Sequence, residues 1–150
     1  MKKIIICIVL VFVVYSLCDY FLFEPKFESH IYSDITCWKS IEGHSVRVIT
    51  SVADRDLVLS SCTYGISQTV LPSYDEKFFK DNILFVFSIE TGNMGDQYAV
   101  YDIARDGDRL TIFIRRTMDG SLTATQPILF IIEADSSWRI DPSLIDITYV

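Results

Sequence analysis

The groups able to do chemistry in this chain are few and far apart. His30 and His44 are its two histidines. Nucleophilic catalysis wants a Ser or Cys beside a His base, but no G-x-S-x-G elbow is present and both histidines fall in stretches that read as exposed loop. Four cysteines occur, at 7, 18, 37 and 62, with no C-x-x-C pair and no spacing to either histidine that suits zinc. Asp102, Asp106 and Asp108 group around a turn, as a hard cation would require, yet the twelve-residue loop with its closing Glu is missing. Gly92-Asn93-Met94-Gly95 has the glycines of a phosphate cradle but no Lys and no following helix, so it reads as a flexible hairpin tip. Arg115, Arg116 and Arg139 are too few for an anion-binding patch. The sequence therefore assigns no catalytic residue, no cofactor and no metal. The alternative to this non-catalytic reading is a hydrolase whose site is assembled from loop residues such as Asp96 and Asp119.

What carries these groups divides at about residue 23. The chain has 150 residues, 50% of them hydrophobic, and a net charge of −7. Nineteen of the first 23 residues are apolar, which leaves an ordinary globular composition for the rest. Met1-Lys2-Lys3 is followed by an unbroken apolar run over residues 4–15 and, after Ser16, by Leu17 and Cys18. As a helix, residues 4–17 rise only ~21 Å, short of a ~30 Å hydrocarbon core. Extension through Tyr20, Phe21, Leu22 and Phe23 makes the segment long enough to span. Three readings stand side by side. One is an uncleaved anchor with an interfacial aromatic run, and another is a signal peptide cleaved after the apolar core. The third is a lipoprotein lipidated at Cys18. All three keep Lys2 and Lys3 in the cytoplasm and the body outside it, in the membrane or secreted.

Beyond Lys2 and Lys3 the balance is about −9, which excludes a phosphate-backbone partner, since nucleic-acid affinity rests on clustered Lys and Arg. Outside the cytoplasm Cys37 and Cys62 are free to form a disulfide; two separately buried thiols are the other reading.

The body reads as one domain. Residues 1–23 are the signal peptide or anchor, 24–44 a connector and 45–150 an α+β domain. Residues 45–50 alternate and are β-branched, as in a strand. Ser51 ahead of Asp54 marks a helix start over 53–60, 62–73 reads as loop, and 74–80 as a second short helical segment anchored by Phe78 and Phe79. Residues 83–89 form a continuous apolar run, expected of a strand covered on both faces. Residues 97–104 and 109–116 flank an Asp-Gly turn, with Leu110, Ile112 and Ile114 on one face. Residues 128–133 are again nearly all apolar, and 146–150 add an edge strand. The expectation is a mostly antiparallel β-sheet of four to six strands with one or two short helices, preceded by the amino-terminal apolar helix.

The run Tyr74-Asp75-Glu76-Lys77-Phe78-Phe79-Lys80-Asp81-Asn82, the strand after it, the glycine-bearing turn, the Asp-Gly hairpin and the Ile132-Glu133 strand end together resemble small secreted Gram-positive domains. Those domains are similar to the carboxy-terminal domain of the protease-complex subunit PrcB family. The likeness covers residues 46–135. Thr123-Ala124-Thr125-Gln126-Pro127 departs from it, where the family often carries an acidic, Trp- or His-bearing stretch, as does the 92–95 turn. The resemblance implies an accessory, partner-binding role with no catalytic residues. The expected function is thus an extracytoplasmic module binding another envelope protein, a protease among the candidates, with pairing at an open sheet edge as one mode.

Overall fold

Among the described residues, seven strands and two short helices follow one another as β1 (Phe27–Tyr32), β2 (Arg47–Ile49), α1 (Val52–Ser60), α2 (Ser67–Val70), β3 (Asn82–Thr91), β4 (Gln97–Asp106), β5 (Arg109–Met118), β6 (Gln126–Asp135) and β7 (Ile145–Tyr149). The computed structural model describes residues 27–33, 46–60, 65 and 67–150. The amino-terminal apolar segment, Cys18, Cys37, Cys62 and His44 lie outside the described residues.

The strands form two sheets, in the orders β1-β6-β3-β2 and β4-β5-β7. The central strands β3 and β6 explain why. Alternate residues on a strand face opposite sides, and on both of these strands both sides are apolar. Ile83, Phe85, Phe87 and Ile89 join Ile128, Phe130, Ile132 and Ala134 in a core completed by Ile103, Leu110, Ile112, Ile114 and Ile145 of the three-stranded sheet. The intervening residues Leu84, Val86, Leu129 and Ile131 face the other way, into a second core with Ile49, Val58, Leu71 and Tyr74. The molecule is therefore three-layered: a helical layer, the four-stranded sheet, and the three-stranded sheet. The expected double coverage of residues 83–89 is found, as is the inward face of Leu110, Ile112 and Ile114, each fully buried. Phe87 and Phe130 are cross-strand partners with rings stacked at 4.7 Å and 4°.

The α+β reading holds in its coarse form, mostly antiparallel β with few short helices, and several details differ. The strands are split between two sheets instead of forming one. β7 pairs with β5 in parallel, because the chain leaves for the other sheet to make β6 and returns in the same sense as β5. Residues 24–44, read as a connector, supply β1, which pairs antiparallel with Leu129–Ala134 of β6. Residues 67–73, read as loop, hold α2 and a 3-10 turn; of 74–80, read as helical, only Phe78–Lys80 forms a 3-10 turn. The Asp-Gly hairpin is as expected, with Asp106 opposite Arg109 and Gly107 at a φ of +57°.

The start of α1 is a local device legible in the sequence. The Ser51 hydroxyl accepts the Asp54 N–H at 3.1 Å. Asp54 in turn accepts the Thr50 N–H at 3.1 Å and the Thr50 hydroxyl at 2.7 Å, so donors on both sides of the cap are satisfied. Ser51→Ala is expected to lower stability by about 1 kcal/mol, read as a shift in the denaturant midpoint. The Thr50 hydrogen bonds hold the Asp54 carboxyl below its usual range against a smaller opposing effect of burial. A depressed folded-state pKa means that this stabilisation is complete above the pH at which an unfolded Asp titrates, and is lost as pH falls through the folded value. Asp54→Asn is expected to flatten the acid limb of the stability–pH curve and to leave its neutral region parallel to wild type.

Candidate functional site: a clamped loop platform

At the end of the sandwich where β3 turns into β4 and β5 leads towards β6, two loops are bonded to each other. The Met94 N–H donates to the Leu122 carbonyl at 2.8 Å. The Gly95 N–H donates to the Gln126 side-chain oxygen at 3.0 Å, and the Gly120 N–H donates to Asp96 Oδ1 at 2.7 Å. Thr91, 3% exposed, donates its hydroxyl to the Asn93 and Gln126 carbonyls. The glycines are there for distinct reasons. Gly95 has a φ of +94°, where a side chain is strained. At Gly120 the backbone is so close that an added Cβ would lie 2.7 Å from the Asp96 nitrogen and closer still to the Met94 carbonyl oxygen. The Gly92-Asn93-Met94-Gly95 turn, expected to be a flexible hairpin tip, is hydrogen-bonded to the loop before β6.

Beside this clamp lies a cleft of about 270 Å³, lined by Ile31, Ser33, Gly95, Asp96, Gln97, Tyr98, Gln126 and Ile128. It opens where the end of β1 meets the starts of β4 and β6. Asp96, 3% exposed, is a buried carboxylate whose charge is offset by the Gly120 N–H and by Arg116, 3.9 Å away; such a group is costly to bury without partners. Arg116 also pairs with the exposed Asp119 at 2.9 Å. Burial, with the Asp96 charge adding to it, pushes the Tyr98 phenol above its usual range, so it remains a proton donor at neutral pH. The two carboxylates considered for a hydrolase, Asp96 and Asp119, are therefore brought together through Arg116. No His, Cys or Lys is among the cleft-lining residues.

Three large apolar side chains near the clamp are exposed. Met94 is 46% exposed, Met118 54% and Leu122 59%. Met94 faces Leu122 across an isolated bridge, and Met118, at the end of β5, pairs with the cleft-lining Gln97. Sequence reading missed this grouping because the contact between residues 94 and 122 depends on how the two loops dock.

The other singled-out residues disperse. Asp102 accepts the Ile103 N–H beside a bulge in β4, and Asp102, Asp106 and Asp108 do not bring their oxygens to one point. Arg115 stacks over Tyr101 at 4.1 Å, whereas its neighbour Arg116 turns to the opposite face, so they make no shared anion patch. His30, expected in a loop, lies in β1 with Nε2 2.9 Å from Glu133 Oε1. No helix among the described residues is long and apolar enough to cross a membrane. In comparisons with family models, curated proteins and solved structures, nothing matches the chain.

Proposed function

We propose that the domain is a non-catalytic accessory module that works outside the cytoplasm, membrane-anchored or secreted, and binds another envelope protein through the Met94–Met118–Leu122 platform and the adjoining cleft. The observation that carries this reading is a pair of exposed apolar side chains, Met94 and Leu122, on two loops bonded to each other, with the exposed Met118 at the end of β5. Flexible thioethers suit adaptable apolar contact, and a preformed surface loses less entropy on association than a mobile one. The partner's matching surface is aliphatic, to suit the exposed Met94, Met118 and Leu122 side chains. The resemblance to PrcB-type domains adds a protease to the partner classes.

The experiment is a paired comparison on the full chain in detergent. Met94→Asp and Leu122→Asp place charge on exposed positions and are expected to leave the unfolding midpoint within about 0.5 kcal/mol of wild type. They are also expected to abolish co-purification of the partner from crosslinked envelopes. Turnover of an ester, peptide or glycan substrate that disappears with Asp96→Asn would replace this reading with the hydrolase.

A further inference from the structure

A second site stands apart from the platform, on the helical side of the four-stranded sheet. Glu28 of β1 and Glu133 of β6 are directly opposite each other in the antiparallel register. Like charges in such a pair repel and destabilise the sheet, so the arrangement calls for a cation between them. His30, two residues along β1, points to the same face. Its Nε2 is 2.9 Å from Glu133 Oε1 and 3.7 Å from Glu28 Oε1. The three donor atoms all lie within 4.8 Å of one another. Behind them Tyr74, 8% exposed, donates its hydroxyl to Glu133 Oε1 at 2.8 Å. Burial, followed by that bond to Glu133, pushes the phenol far above its usual range, so it stays a donor.

We infer that Glu28, His30 and Glu133 form a binding site for a divalent transition-metal ion, with zinc as its ordinary occupant. One imidazole nitrogen and two carboxylate oxygens are zinc ligands, and three protein donors leave a fourth position for water. Tetrahedral zinc with ~2.0–2.1 Å bonds spaces its ligands about 3.3 Å apart, between the two separations seen from His30 Nε2. Glu28, the outermost donor, has a 72% exposed side chain and is free to swing inward from separations of up to 4.8 Å to that spacing. Tyr74 supplies the outer hydrogen bond that orients a ligating carboxylate. An imidazole selects zinc over calcium and magnesium, which prefer all-oxygen sites. The ion joins β1, an edge strand, to the interior of the sheet.

The test is equilibrium dialysis of the full chain in detergent against zinc chloride, comparing wild type with His30→Gln, Glu133→Gln, Glu28→Gln, Tyr74→Phe and the control Glu90→Gln. The expected result is a zinc ion held with Kd on the order of 10 μM or tighter that is weakened at least ~10-fold in each ligand variant and about 10-fold by Tyr74→Phe, and unchanged in the control. Hydrogen exchange at the β1 amides is expected to slow with zinc in wild type alone. Should the His30 or Glu133 variant fail to fold, Glu28→Gln decides the matter, because it alters an exposed side chain. Zinc uptake that survives in Glu28→Gln and in the folded ligand variants, or no uptake by wild type below about 1 mM, would overturn the assignment.

Discussion

Phe130→Ala is expected to remove about 3–5 kcal/mol of stability. Phe130 and its stacked partner Phe87 are fully buried at the centre of the core between the sheets, and β6 has strand neighbours on both sides. The surroundings are β-sheet backbone with bonds already satisfied, so the void cannot collapse easily. A domain of this size has only about 5–15 kcal/mol in total, so the variant should sit near its unfolding threshold at physiological temperature. Chemical denaturation read by far-UV circular dichroism measures this. Leu57→Ala, at a position 71% exposed, serves as the comparison and should change stability by no more than about 0.5 kcal/mol.

Gly120→Ala is the second large effect, and its cause is steric. The new methyl would press on the Met94 carbonyl group and the Asp96 amide, which are backbone atoms and cannot rotate aside. The loops must separate, at roughly 1–3 kcal/mol for the forced shift. Separation also removes the Gly120 N–H from the buried Asp96 carboxylate, for about another 1–3 kcal/mol. The midpoint should fall and partner capture should fall with it, because the platform is lost as a unit. Gly92→Ala, where an added Cβ meets nothing within 4 Å, should leave both readings unchanged.

What was legible in the sequence follows from which physical rule each segment obeys. The unbroken apolar runs in β3 and β6 announce coverage on both faces, and the alternation from Leu110 to Ile114 announces one buried face. Asp106-Gly107-Asp108-Arg109 carries its turn in its own residue types. β1 was hidden because Phe27-Glu28-Ser29-His30-Ile31-Tyr32 mixes Phe27 and Ile31, packed towards the inter-sheet core, with Glu28 and His30 on the opposite face. That reads as polar connector unless β6 is known to lie alongside. The division into two sheets was equally hidden, since a single alternating strand does not state which sheet it joins. The platform joins residues 94 to 122, and the Glu28–His30–Glu133 cluster joins β1 to the far end of β6. Both are created by register and loop docking, which local periodicity does not encode.

The account rests on the loop platform as the partner-binding surface, and site-specific photocrosslinking tests it most directly. A photoreactive residue is placed at 94, 118 or 122 of the full chain in intact cells that produce it, with position 104 on the exposed part of β4 as the control. The account predicts one adduct of the same discrete mass from all three platform positions, none from position 104, and its loss when Gly120→Ala is added. Equal adducts from position 104, or no adduct from any platform position, would contradict it.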